Sequence, residues 1–362
     1  MLNHRSERSI TYAEAINEAL RQCLDKYPEV FLVGEGVPDP SGIFGTTLGL
    51  QDKYGRERVM DMPVSENGLT GICIGAAISG LRPVMTHQRI DFSLLSFDQI
   101  VNCAAKWFYM FGGKRSVPLV IRMIIGRGWG QGAQHSQSLQ SLYAHIPGLK
   151  VVMPASPSDA KGMLISAVKD NNPVIFIEHR WLHQITGLVP RNYFEANLNQ
   201  AAVVKRGSDV TIIGISYMMI EALKAARILK IENINAEIID LRSLKPIDMK
   251  TIIKSLKKTG RVVIADTGVK FLGIGAEILA QILEHDRNIL KARPFRLSLP
   301  DLPTPTSFRL AENYYPTYKT LVEKIMAMAG KSDVYIKKII SSLKSKEEVY
   351  SDVPDKSFTG PF

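Results

Sequence analysis

Asp61-Met62-Pro63-Val64-Ser65-Glu66-Asn67-Gly68 is the stretch from which the rest of the chain is read. An extended, Pro-containing segment delivers a carboxylate, Glu66. A run of small residues at helical spacing follows directly, Gly71-Ile72-Cys73-Ile74-Gly75-Ala76-Ala77-Ile78-Ser79-Gly80. Ser65 is placed to cap that helix, and Gly, Ala and Ser on its face allow close backbone packing. A carboxylate in the first helical turn is favoured by the helix dipole. An isolated Glu at such a place is usually a solvated capping residue. The alternative is that Glu66 points into a cleft and handles a proton. Its surroundings decide.

Upstream, residues 10–27 have the stripe of an amphipathic helix, with Ala15, Ile16, Ala19, Leu20 and Cys23 on one face. Thr11 and Glu14 stand at capping-box spacing. Short apolar runs at 30–33, 82–86, 117–125, 150–154 and 174–178 read as strands. Helical patterns at 71–80, 96–109 and 158–169 fall between them. Strands alternating with helices imply a mostly parallel sheet covered on both faces. The turn at 34–36 carries a second carboxylate, Glu35, and 38–49 is a Gly/Pro-rich loop long enough to be functional. The strand at 82–86 ends in His87-Gln88-Arg89-Ile90-Asp91-Phe92, polar groups plus an aromatic at a position where α/β sheets hold ligands.

The strand at 117–125 runs into Gly126-Arg127-Gly128-Trp129-Gly130-Gln131-Gly132-Ala133-Gln134-His135-Ser136-Gln137. Glycine at alternate positions matches neither a Walker A loop nor the dinucleotide fingerprint. Such glycines let the backbone approach a ligand or move as a lid. A lone His is usually a hydrogen-bonded structural residue, but His135 ends a polar loop after a core strand, which favours a functional role.

A second α/β run follows, with strands at 210–214, 236–241, 261–266 and 294–299 and helices at 216–229, 249–258 and 318–328. The fold class is therefore α/β, with two doubly wound domains at 9–188 and 207–330. Residues 189–206 read as a linker, because Pro190, Asn192 and Asn197 break any periodicity. Residues 331–362 read as a charged tail, helical at 333–343 and then disordered.

With 362 residues, 45% of them hydrophobic, the chain can build two cores. A mean hydropathy of +0.00 and no long uncharged apolar run argue against a membrane span. Residues 1–8 show no apolar signal segment. Cys23, Cys73 and Cys103 lack metal spacing and read as reduced thiols of a cytoplasmic protein. The net charge of +10 comes from scattered Lys and Arg without a nucleic-acid motif, so it reads as a solvated basic surface.

At 61–68, 87–92, Gln134-His135-Ser136-Gln137 and 207–248 together, the chain resembles the β subunit of the thiamine-diphosphate-dependent E1 component of 2-oxoacid dehydrogenase complexes, within the transketolase superfamily. The resemblance spans residues 9–330 and rests on several motifs in the right order. It implies a thiamine-diphosphate pyrimidine-binding domain followed by a transketolase C-terminal domain. It gives Glu66 the task of holding a proton against N1′ of the cofactor pyrimidine through a short charge-assisted hydrogen bond. Phe92 matches the ring that stacks on the pyrimidine, and Gln88 a pyrimidine-pocket position. His135 matches a histidine that approaches the substrate or helps pass the acyl group to lipoyl. Glu35 matches a carboxylate in a polar channel between paired sites.

The family often holds a potassium ion on backbone carbonyls, at positions matching Leu119, Ala167, Val168, Asp170 and Asn172. It binds the diphosphate through Mg²⁺ on a Gly-Asp-Gly motif, which does not occur here. The resemblance therefore implies that an α subunit supplies metal and diphosphate, in an α2β2 heterotetramer. A lipoyl-bearing E2 and a 2-oxoacid complete the expected partners, with no nucleic acid and no membrane. His87 and Arg89 depart from the family by placing positive charge beside the pocket, which would suit a polar or acidic substrate. They also leave open a split transketolase-like or carboligating enzyme of a biosynthetic pathway.

Overall fold

The computed structural model describes residues 7–127, 131–311 and 313–343. The chain divides into two units after Leu198, with residues 131–133 grouped with the second. The first unit opens with β1 (Glu7–Thr11) and α1 (Tyr12–Lys26). The expected capping box is present. Thr11 Oγ1 accepts from the Glu14 backbone N–H while the Glu14 carboxylate accepts from the Thr11 N–H. There follow β2 (Val30–Gly34), α2 (Leu50–Tyr54), β3 (Val59–Met60), α3 (Glu66–Ile78) and β4 (Arg82–His87). After them come α4 (Ala105–Met110), β5 (Val120–Ile125), α5 (Gln140–His145), β6 (Lys150–Val152), α6 (Pro157–Lys169), β7 (Val174–His179) and β8 (Thr186–Pro190).

Strands β6, β7, β5, β4, β2 and β3 lie side by side in that order, all parallel. Every residue of β5 and β7 is buried, as expected for strands covered on both faces. Parallel strands all end on one edge, so Glu35, His87, Gly126 and Arg180 emerge together there. β1 and β8 pair antiparallel, away from that sheet.

Three local expectations change. Ser65 is the N-cap residue of α3 but makes no side-chain cap hydrogen bond. The helix expected at 96–109 is interrupted: a 3₁₀ turn at Phe92–Ser96 and a π turn at Gln99–Ala104 precede α4. The expected linker contains an end of β8 and a further strand, β9 (Ala202–Lys205), because the short Ala-Val-Val-Lys run finds a sheet edge that local periodicity cannot show.

The second unit adds β10 (Val210–Gly214), α7 (Met218–Ile231), β11 (Ala236–Asp240), β12 (Ser243–Lys245), α8 (Met249–Thr259), β13 (Val262–Val269), α9 (Ile274–His285) and β14 (Phe295–Leu299). Its last helices are α10 (Phe308–Ala311), α11 (Tyr318–Met328) and α12 (Asp333–Ser342). Its sheet runs β14-β13-β10-β11-β9, with only β9 antiparallel. Asp248 caps α8 through the Thr251 N–H, and Gly260 ends it at φ 64°, the left-handed turn that glycine adopts without a Cβ clash. The expected disorder after the tail helix falls on 344–362, outside the described residues.

At the centre of the first sheet Arg122 and Glu178, both fully buried, make two hydrogen bonds of 2.6 and 3.0 Å. Arg122 also donates to Thr46 Oγ1, and His183 lies 3.1 Å from Glu178. Burial opposes the Glu178 charge, but Arg122 and His183 outweigh it and hold the carboxyl down at about 2. Removing Arg122 strands a buried carboxylate, so Arg122→Met should cost about 3–5 kcal/mol in urea unfolding. A depressed carboxylate pKa stabilises the fold above its unfolded value and stops doing so as pH falls through the folded one. Wild-type stability should therefore drop between pH 4.5 and about 2, and Arg122→Met should flatten that slope.

Candidate functional site

The end of β2 and the start of α3 are tied together by one side chain. Asp61 Oδ1 accepts from the Gly36 N–H at 3.0 Å and from the Met62 N–H at 2.9 Å. From the other side, Gln88 Nε2 donates to the Glu35 carbonyl at 2.7 Å. The turn at Glu35 and Gly36 is thus held between the stretch before Glu66 and the segment after β4. Gly36 has φ 69°, the left-handed region that favours glycine, and a Cβ there would push on Gln88 Nε2 at 2.5 Å.

Two carboxylates face this arrangement. Glu66 is only 5% exposed, at the first residue of α3, and its carboxylate accepts no hydrogen bond from any described residue. Glu35 Oε1 is likewise buried without a hydrogen-bond partner among the described residues. Burial raises the Glu35 pKa first, then the charges of Glu66 and Asp61. Three of the five expected site residues, Glu35, Glu66 and Gln88, are therefore coupled through one turn.

The other two also meet. The Phe92 and His135 rings stand edge to face, with centroids 5.4 Å apart at 83°. His135 is exposed and Phe92 half-buried. The loop carrying His135 is anchored nearby, since Asp91 Oδ1 accepts from both the backbone and the side-chain amide of Gln137. Of the preceding glycine loop, residues 128–130 lie outside the described residues.

His87 does not add the positive charge expected of it. It is buried, 3.5 Å from Ser96 Oγ, and burial drives its pKa down to about 4, so it is neutral near pH 7. Arg89 does carry charge there. It is 4% exposed, and its Nη1 donates to the Gly126 carbonyl at 2.8 Å.

The five expected potassium positions gather where β5 begins and α6 ends, and four of their carbonyls accept hydrogen bonds. Leu119 O accepts from the Val174 N–H and Ala167 O from the Asp170 N–H. Arg82 Nη1 donates to Val168 O at 2.9 Å and to Asp170 O at 3.1 Å. The Asn172 N–H donates to Asp170 Oδ1 at 2.9 Å. A guanidinium thus already brings positive charge to two of these carbonyls, and no step is assigned to an ion there. Among the described residues no group of three or more His, Cys, Asp or Glu side chains is gathered to hold a metal.

Sequence reasoning passed over Asp61, although it lies in the quoted stretch, because its work is done by backbone contacts. It also passed over Phe44, whose φ of 52° in a glycine-rich loop is a local signal only in retrospect.

Comparison with known proteins places the chain in a family. Residues 8–184 match the transketolase pyrimidine-binding domain, and residues 199–321 the transketolase C-terminal domain. The chain is 42% identical to the acetoin:2,6-dichlorophenolindophenol oxidoreductase subunit beta of Cupriavidus necator, over 86% of this chain and 94% of that one. It is 39% identical to the pyruvate dehydrogenase E1 component subunit beta of Rickettsia felis, over 87% of this chain and 97% of that one. A solved split-gene transketolase, described as an inactive β4 tetramer, shares the fold at a TM-score of 0.71 and 24% identity, covering 89% of this chain and 98% of that one. No helix among the described residues is long and apolar enough to cross a membrane. The chain belongs to the family of 2-oxoacid dehydrogenase E1 beta subunits, built from transketolase pyrimidine-binding and C-terminal domains.

Proposed function

We propose that this chain forms the pyrimidine-holding half of a thiamine-diphosphate site that oxidatively decarboxylates a 2-oxoacid, completed by an α subunit. Family membership implies the cofactor. The observation that carries the reading is Glu66, a buried carboxylate at a helix start that accepts no hydrogen bond from a described residue. A pyrimidine N1′ bearing a proton would donate to that carboxylate.

When bound, thiamine diphosphate supplies the carbon nucleophile and electron sink that decarboxylation requires. Glu66 holds the proton at N1′. Phe92 offers a flat apolar face to an aromatic ring, and its contact with His135 keeps that ring from turning. Gln88, fixed on the Glu35 carbonyl, shapes the pocket edge. Glu35, with its raised pKa, is placed to share a proton with Glu66 when the latter gives one up. His135, exposed at the loop end, meets the incoming acceptor. In this reading the α subunit brings Mg²⁺ and the diphosphate contacts, two α and two β chains assemble, a lipoyl-bearing E2 takes the acyl group, and the assembly works in the cytoplasm.

Reconstitution with the matching α chain tests it. Glu66→Gln keeps the shape and loses the exchangeable proton, so turnover should fall by about 10²–10⁴-fold with the melting temperature unchanged. Retained turnover would refute the role of Glu66. For His135, decarboxylation read with 2,6-dichlorophenolindophenol as acceptor is compared with acyl transfer to a lipoyl domain. His135→Gln should depress the lipoyl reaction at least about tenfold more than the dye reaction. Equal losses would assign His135 to the decarboxylation step instead.

A further inference from the structure

A cavity of about 630 Å³ opens within the first unit, and none of the residues lining it belongs to the candidate site. Its walls are β1, α1, the loop at Gly45 and Leu48, and the residue just beyond β8. Three arginines reach it from separate elements: Arg8 from β1, Arg21 from α1 and Arg191 from beyond β8. Arg21 and Arg191 are exposed and Arg8 is half-buried.

The carboxylates on the same walls are Glu14, Glu18 and Asp25, and each is already engaged. Glu14 accepts from the Thr11 N–H at 2.7 Å and from the Thr11 hydroxyl at 3.0 Å. Glu18 is shared between Arg8 and Lys161. Asp25 accepts from Lys53 Nζ at 3.0 Å and from the Tyr54 hydroxyl at 2.8 Å. With Lys53 and Lys161 included, five cations answer three carboxylates around this cavity, so its field favours an anion.

The arginines keep donors to spare. Arg8 spends one amine on Glu18, and its Nη1 has no hydrogen-bond partner among the described residues. Arg21 Nη2 donates to the neutral Asn17 Oδ1 at 3.1 Å. The Arg191 guanidinium makes no hydrogen bond or ion pair with a described residue. Its backbone is nevertheless fixed, because the Arg191 carbonyl accepts from Gln22 Nε2 at 2.9 Å and from the Lys161 ammonium at 3.3 Å.

We propose that this cavity binds a small organic phosphate, with the phosphate group held by Arg21 and Arg191 and Arg8 adding a third positive charge. A phosphate presents several outer oxygens at once, and planar guanidinium donors match them. The volume falls in the range of small-molecule sites, about 300–1,000 Å³, so it has room for a carbon skeleton beside the phosphate. Ile10 and Leu48 offer that skeleton apolar surface. The site is independent of the 2-oxoacid reading, since no residue in it is assigned to that chemistry.

Calorimetric titration of the full-length chain at low salt, with glucose 6-phosphate, glucose and inorganic phosphate, tests it. Glucose 6-phosphate should bind at least about tenfold more tightly than inorganic phosphate, and glucose should give no heat of binding. Arg21→Ala and Arg191→Ala should each weaken glucose 6-phosphate at least about fivefold, and Arg191→Lys should keep part of the affinity. Both side chains are exposed, and melting curves establish that each variant is folded. Arg287→Ala removes one charge from an exposed arginine outside the cavity and should leave binding unchanged. An equal loss in Arg287→Ala would trace the binding to the net charge of +10 and overturn the proposal. So would no binding of glucose 6-phosphate, an affinity no higher than that of inorganic phosphate, or unchanged affinity in both cavity variants.

Discussion

The bidentate pair between Arg122 on β5 and Glu178 on β7 sits in the middle of the first sheet, and neither side chain reaches solvent. Two buried charges survive there because they hold each other through two hydrogen bonds. The same pair reaches outward. Arg122 holds Thr46, and through it the loop that presents Phe44, while Glu178 holds His183, whose ring lies 5.5 Å from Phe44. An ionic contact at the core therefore fixes a surface loop against the strand ends. Arg89 and Arg180 both lie over the Phe44 ring that this loop presents.

A second, smaller constraint acts on the proton-handling side. Asp61 and Gln88 grip the turn after β2 from opposite directions. Neither grip is strong alone, since a single hydrogen bond contributes about 1 kcal/mol. Together they fix where Glu35 stands, and so set the burial, and after it the repulsion from Glu66 and Asp61, that raise its pKa. Chemistry that depends on two carboxylates sharing a proton depends on such backbone contacts as much as on the carboxylates themselves.

The sequence by itself settled the architecture. Apolar runs between helical stripes dictate a parallel sheet, since strands buried on both faces must be nearly continuous in Val, Ile and Met, as Val120–Ile125 is apart from Arg122. It also marked Glu66 and His135 by local pattern, a carboxylate opening a small-residue helix and a histidine ending a polar loop, while Phe92 and Gln88 were marked through the family resemblance. The structure brought Phe92 to His135 and Gln88 to Glu35. It removed His87 from the charged set, since a histidine's charge is decided by burial, which no local pattern reports.

Only the tertiary structure decided the rest. Arg89, Arg127 and Arg180 are separated by 38 and 53 positions along the chain, and nothing in their spacing suggests that they share an edge. They come together because β4, β5 and β7 lie adjacent in a sheet whose order differs from the order of the chain. Strand order is set by which faces bury the most apolar surface across the whole unit, a sum over distant residues. Helices and strands follow from neighbours a few residues apart. Which side chains meet at the strand ends follows from neighbours across the sheet.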